Sequence, residues 1–444
     1  MRGRMSVKFL LVGGGGREDA IARRLAEAGA TLYAFMKNRN PSIASLTAGF
    51  RIGDETSAPE VVRYAREVGA EAAFASPDPV IAAGVSDALQ DAGIRVASPS
   101  RLAAEIESSK AYMRGLLQRH SIGGSIEHHV LASEAEVRDL FRDLDFPVAV
   151  KPIGLTGGKG VRVVGEQLPD MKAAMEYALE VVTRDGKVLV ERKVEGEEFS
   201  LQGFCDGSRI HFMPVVQDYK RAYEGDRGPN TGGMGSISDR DHGLPFIPPG
   251  SVERAKSIMR SVVRAMGQEG RPFKGIMYGQ FMETSGGPVL IEVNARFGDP
   301  EAMNVLKVFD GDLLDTFLAI ADGSLLSPPR FRTEATCLKY IVPVGYGEKP
   351  EPGTLTVDRS GMPEDFDIYY SAVSGTPERV EMSTSRSLAL IATADSIPEA
   401  SDKVERNLWR VSGRYYVRHD IGTKALIEGK SRRMAQVKGT GNPG

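Results

Sequence analysis

The segment Val289-Leu-Ile-Glu-Val-Asn-Ala-Arg296 reads as a strand with chemistry on one face. Glu292 and Asn294 stand at i and i+2, so both side chains leave the same side of it. A carboxylate beside an amide oxygen suits Mg2+, which takes oxygen ligands and completes its shell with substrate phosphates; Mn2+ accepts the same donors. An unpaired acid inside an otherwise apolar strand also calls for a cation nearby. Arg296 continues the same face, where it can steady a phosphoryl group in transfer. The competing reading is an edge strand whose polar face meets water.

Three other stretches carry comparable information. Residues 148–164 read as strand, glycine-rich loop, strand, with Lys151 on the first strand and Gly157, Gly158, Lys159 and Gly160 in the loop. The P-loop pattern fails, because Gly160 stands where Ser or Thr is required and no helix follows. A glycine hairpin can still fold its N–H groups onto nucleotide phosphates, and Lys151 can reach phosphate oxygens. Residues 188–200 run from a strand into a connector with acids at 191, 195, 197 and 198. Such a hinge can offer backbone groups to adenine and a carboxylate to ribose; alone, it reads equally as an exposed acidic edge. Finally, Leu10–Ala20 ("LLVGGGGREDA") opens the first strand and helix. The dinucleotide fingerprint G-x-G-x-x-G fails at its third glycine, which falls on Glu18, and no ribose-binding acid ends the next strand. A single phosphate on a helix N-terminus remains, with Gly14, Gly15 and Gly16 as donors and Glu18 near a sugar hydroxyl or amine.

Glycine-loop lysine, acidic hinge and E-x-N strand, in that order and spacing, resemble the ATP-grasp fold. Asp218-x-Lys220-Arg221 followed by Gly228-Pro-Asn-Thr-Gly-Gly-Met-Gly235 resembles the signature of its phosphoribosylamine–glycine ligase family. "GGGGREDA" (13–20), "PDPVIAAGVSDAL" (77–89), "SSKAY" (108–112) and "NARFGDPE" (294–301) are similar to further motifs of that family, so the likeness runs from about 8 to 425. It implies ATP-dependent ligation of glycine to 5-phosphoribosylamine through a glycyl phosphate, in de novo purine biosynthesis. Lys110 and Lys151 then resemble the phosphate-contacting lysines, Glu191 and the Val194 backbone the adenine hinge, and Glu198 the ribose carboxylate. Glu292 and Asn294 would hold Mg2+. Arg296, Lys220 and Arg221 would act at the reacting groups, Asp218 on an ammonium. Asn230, Thr231, Gly232, Gly233, Met234, Gly235 and Asp299 would complete the substrate site. The sequence departs from the family pattern in places: Asp19 replaces His, Ser76-Pro77-Asp78 replaces Gly-Pro-Glu, and IGLTGGKGV (153–161) replaces DGLAAGKGV with its glycines and lysine kept. The nearest rival is another ATP-grasp carboxylate–amine ligase or a formyl-transferring relative. A nicotinamide oxidoreductase and a regulator without catalysis are more distant ones.

These residues need a scaffold, and the apolar periodicity predicts a multidomain α/β and α+β chain. A β-α-β-α rhythm over residues 1–107 implies a parallel sheet. Residues 108–330 read as the ATP-grasp part, with a lid at about 125–195, and Pro328-Pro329 as a boundary. Residues 331–425 read as a small α+β domain and 426–444 as a disordered tail. Ser57-x-x-Glu60 and Ser133-x-x-Glu136 read as capping boxes, a helix covers about 251–268, and 218–243 reads as a long loop. The 444 residues carry a net charge of −3, which gives no whole-chain pull toward nucleic acid. Two cysteines make no disulfide framework, and no apolar run reaches a membrane-spanning length. The expectation is a cytoplasmic monomer whose partners are small molecules.

Overall fold

The computed structural model describes residues 6–154 and 160–439. The N-terminal unit is a five-stranded parallel sheet in the order Gly49–Ile52, Thr31–Met36, Lys8–Val12, Ala72–Ala75, Arg95–Val96. Its central strands are apolar on both faces, as a sheet covered by helices on two sides requires: Phe9, Leu10, Leu11 and Val12 are all buried. The helix Gly16–Glu27 follows the first strand at once.

The segment expected as a lid holds a separate four-stranded antiparallel sheet, His128–Leu131, Val188–Arg192, Val148–Pro152, Arg162–Val163. It has its own apolar core under the helices Glu134–Asp143 and Met171–Asp185. Below it lies a second antiparallel sheet, Ile210–Phe212, Glu197–Asp206, Lys274–Thr284, Gly287–Asn294. The helix Pro249–Gln268 packs on it through Ala255, Ile258, Met259, Val262 and Met266, a stripe of helical period.

Four expectations need correction. The 218–243 segment is not one loop. It contains the hairpin Arg221–Tyr223 with Arg227–Asn230 and the strand Gly235–Ser238. That last strand joins Gln217–Asp218 to a sheet with Ala335–Ile341, Leu388–Ala394 and Phe366–Tyr370, so hydrogen bonding runs across the boundary drawn at 330. Ser57 caps its helix by position without a side-chain bond, whereas Ser133 accepts from the Glu136 N–H as expected. Finally, residues 426–439 of the expected disordered tail belong to the helix Lys424–Gly439. Ile427 and Met434, two turns apart on one face, are buried, and Lys430, Arg433 and Lys438 pair with acids of the body. Ion pairs supply the anchoring that the sparse apolar period does not advertise.

Candidate active site

On the lid side, Lys151 projects from Val148–Pro152 and Glu191 from the neighbouring strand. Both are buried, with Lys151 Nζ 2.6 Å from Glu191 Oε2. Arg114 Nε donates to Glu191 Oε1 at 2.5 Å, and its two terminal nitrogens donate to the carbonyls of Leu290 (2.7 Å) and Ile291 (3.0 Å). Burial alone would raise the Glu191 pKa, but Lys151 and Arg114 outweigh it and bring it to about 2. The Glu191 carboxylate faces inward and fixes Lys151, and Val194 lies in the connector beyond the strand. Lys110 begins the helix Lys110–Arg119 and donates to the Gly154 carbonyl at 3.0 Å. Burial, with Lys151 adding to it, lowers its pKa. Gly157, Gly158 and Lys159 lie outside the described residues; the Gly160 carbonyl accepts from Tyr177 Oη at 2.8 Å.

Glu292 and Asn294 lie on Gly287–Asn294 as predicted. Glu292 is half-buried, and no described residue donates to its carboxylate; its charge acts on both Lys110 and Lys220. Asn294 Oδ1 lies 3.4 Å from an Arg296 nitrogen. Among the described residues no group of three or more His, Cys, Asp or Glu could hold an ion alone. A carboxylate without a protein partner beside one amide oxygen fits a Mg2+ ion that takes its other ligands from phosphates and water.

On the substrate side, Asp218 is half-buried, with its Oδ1 buried and lacking any partner among the described residues. Burial first, then the neighbouring Glu301 charge, raises its pKa well above the usual carboxylate range. The 231–235 turn folds down on it. A Cβ on Gly233, whose φ is +105°, would lie 2.5 Å from Asp218 Oδ1, so only glycine fits. Thr231 holds the turn, its N–H and hydroxyl both donating to the Lys220 carbonyl. Met234 and Gly235 are buried in the sheet, whereas Asn230 is exposed on the hairpin. Lys220 Nζ meets Glu198 Oε2 at 2.7 Å, and Gln280 donates to the same oxygen at 2.8 Å. Arg221 pairs instead with Glu166 of the lid at 2.7 Å. Asp299 accepts from Tyr340 Oη (2.7 Å) and pairs with Arg386 (3.2 Å). Arg386 also donates to the carbonyls of Gly232 and Asp299. Tyr340 and Arg386 come from the C-terminal segment and carried no signal in the sequence.

The N-terminal turn reaches the same centre. Glu18 Oε2 accepts the Gly15 N–H at 2.7 Å, while Oε1 accepts from Ser76 Oγ (2.5 Å) and Arg17 Nε (2.7 Å). Glu18 therefore caps its own helix rather than presenting a free carboxylate to a sugar, and Gly15 is no longer a free donor. The Gly14 and Gly16 N–H groups have no acceptor among the described residues. Gly16 is required by close approach, since a Cβ there would lie 2.7 Å from Tyr340 Oη. Asp19, the unexplained departure, is fully buried and points the other way. It accepts from Arg23 (3.1 and 3.2 Å), Ser42 Oγ (2.6 Å) and the Tyr370 N–H (2.8 Å). Asp78 pairs with Arg296, and Glu107 lies 3.6 Å from it. Burial opposes the Arg296 charge, but Asp78 and Glu107 outweigh it and raise its pKa; burial lifts Glu107 to about 7.

Residues 7–107 match the Phosphoribosylglycinamide synthetase N domain and 108–302 its ATP-grasp (A) domain. The chain is 45% identical over 433 residues to the phosphoribosylamine–glycine ligase of Pyrococcus horikoshii, covering 97% of this chain and 98% of that one. The chain belongs to the phosphoribosylamine–glycine ligase family. The ligase of Methanosarcina barkeri is likewise 45% identical, over 98% of this chain and 100% of its own. Solved structures agree on the fold. The phosphoribosylamine–glycine ligase of Thermotoga maritima superposes with a TM-score of 0.78 at 23% identity, over 93% of this chain and 100% of that one. The biotin carboxylase domain of Hydrogenobacter thermophilus 2-oxoglutarate carboxylase, solved with MgADP, gives 0.76 at 18% identity, over 98% of both chains. The expected α/β and ATP-grasp architecture of a ligase is thus established. The chain carries the Lys151, Glu292-x-Asn294 and Gly-Pro-Asn-Thr-Gly-Gly-Met-Gly elements, and Asp19, Ser76 and Asp78 each engage a polar partner, Ser42, Glu18 and Arg296 respectively.

Proposed function

We infer that the protein joins glycine to 5-phosphoribosylamine with ATP, giving glycinamide ribonucleotide, ADP and phosphate. One observation carries this reading. Glu292 lies electrostatically between Lys110 of the lid side and Lys220 of the substrate loop, so both charge clusters converge on the strand that suits a metal-bound phosphate. Lys110 and Lys151 face the phosphates of ATP, Lys151 being held by Glu191. Glu292 and Asn294 would hold Mg2+, with Mn2+ able to replace it, and the ion would neutralise charge on the phosphates as the γ-phosphoryl leaves ADP.

A glycine carboxylate oxygen accepts the γ-phosphoryl, forming an acyl phosphate. The phosphoribosylamine nitrogen then attacks the carbonyl carbon, the C–O bond to phosphate breaks, and the nitrogen loses a proton. Asp218, whose Oδ1 has no partner among the described residues, accepts from the glycine ammonium. Lys220 and Arg296 act on the reacting carboxylate and phosphoryl oxygens. Arg221 is a lid contact whose part is to hold the loop. The Gly14 and Gly16 N–H groups and the helix N-terminus take the 5-phosphate. Positioning two substrates in a water-excluded site supplies on the order of 7 kcal/mol or more of the barrier reduction. The reading extends to a cytoplasmic monomer with no nucleic-acid or membrane partner; the net charge of −3 supports the part concerning polyanions.

ADP release measured with each substrate omitted tests it. Release that requires both glycine and phosphoribosylamine, with the amide product formed, is expected. Turnover of another carboxylate in place of glycine sinks the assignment.

A further inference from the structure

The helix Lys424–Gly439 lies behind the substrate loop rather than in it. Lys430 is its best-buried cation. Its Nζ sits 3.0 Å from Glu197 Oε2 and 3.2 Å from Asp226 Oδ2, and 5.0 Å above the Tyr219 ring. These contacts join three pieces of the site. Glu197 and Glu198 are consecutive on one strand, so their side chains leave opposite faces: Glu198 toward Lys220, Glu197 toward the helix. Tyr219 lies between Asp218 and Lys220. Asp226 is the turn residue of the Arg221–Asn230 hairpin, at φ +54°. Its other oxygen accepts from Arg418 at 2.9 Å, and Arg418 also donates to the Arg221 carbonyl at 3.0 Å.

We propose that Lys430 is a positioning residue for the ligation: it clamps the loop carrying Asp218, Lys220 and Arg221 against the back of the strand carrying Glu198. The clamp sets where Asp218 and Lys220 stand relative to ATP. This rests on the ligase reading above. With the clamp gone, the hairpin keeps Arg418 on Asp226, the Gly225 N–H on Asp420 and Arg221 on Glu166, but its tip loses its tie through Lys430 to Glu197, and the loop loses its register with the nucleotide side. The loss then falls on glycine more than on the fold.

The test compares Lys430→Met, Lys430→Arg and Lys438→Met in the full chain. Lys438 pairs with Glu283 at 2.8 Å on the same helix, away from the loop. Wild-type product formation is measured first; its absence would end the ligase reading and leave the clamp without a function. Given activity, Lys430→Met should raise KM for glycine on the order of ten- to a hundredfold. KM for ATP should move far less. Lys430→Arg should recover most of the loss, and Lys438→Met should lower the melting temperature without moving KM for glycine. Equal KM effects from Lys430→Met and Lys438→Met would reduce the role to helix docking and overturn the proposal. So would a glycine KM within twofold of wild type in Lys430→Met.

Discussion

Replacing Glu191 by Gln removes one negative charge from a site with no water to replace it. Glu191 is buried between Lys151 Nζ at 2.6 Å and Arg114 Nε at 2.5 Å. Its pKa falls from an ordinary 4.5 to about 2 in the folded chain. That depression corresponds to about 3 kcal/mol of folded-state stability in the ionised form. The sign follows from the depressed value: the contribution is complete above pH 4.5 and is lost as pH falls toward 2. Thermal unfolding of wild type and Glu191→Gln should therefore differ by ~3 kcal/mol at pH 7.5 and by only about 1 kcal/mol at pH 3. Because Lys151 loses its anchor, KM for ATP should rise about tenfold in the variant at pH 7.5, with KM for glycine affected less. A stability gap that stays constant or widens in acid would refute the electrostatic account. An unchanged ATP KM would refute the link between this pair and the nucleotide.

Glu292→Ala should lower kcat by orders of magnitude with the melting temperature nearly unchanged, since no described residue donates to this carboxylate; near wild-type rates at saturating Mg2+ would remove the metal site. Asp218 has a raised pKa and must be ionised to pair with an ammonium, so glycine affinity should climb with pH through a value well above the usual carboxylate range. KM for glycine measured from pH 5.5 to 8.5 checks this, and Asp218→Asn should give a weak, flat profile. Asp19→Ala should destabilise by about 2 kcal/mol, leaving the Tyr370 N–H and the Ser42 hydroxyl without their acceptor while Arg23 keeps the Ile368 carbonyl and Asp367, with KM for phosphoribosylamine in the remaining folded enzyme unchanged.

The parallel sheet was legible because its strands are short apolar runs alternating with helical periods: Lys8–Val12 and Thr31–Met36 fall where the pattern puts them. The places of Lys151, Glu292 and Asn294 on their strands were legible because local motifs fix them there. The partners of those residues were not. Arg114 reaches Leu290 and Ile291 across more than 170 positions, Asp19 reaches Tyr370 across 351, and Arg386 reaches Gly232 across 154. Nothing local distinguishes such an arginine from a solvated one. The Lys424–Gly439 helix escaped notice because its stabilising contacts are ion pairs to Glu197, Asp226 and Glu283, which leave no apolar period to count.

The departures at 19, 76 and 78 are best understood through what each one satisfies. Ser76 gives the buried Glu18 a hydroxyl donor, so the capping carboxylate is fully hydrogen-bonded although it lies away from water. Asp78 reaches from the N-terminal unit to Arg296 and keeps that guanidinium charged in a buried setting where Glu107 alone stands 3.6 Å away. Asp19 ties the first helix to the C-terminal sheet through Tyr370 and to the next helix through Ser42. Asp19 and Asp78 thus each join the N-terminal unit to a later segment, while the Gly14 and Gly16 N–H groups have no acceptor among the described residues.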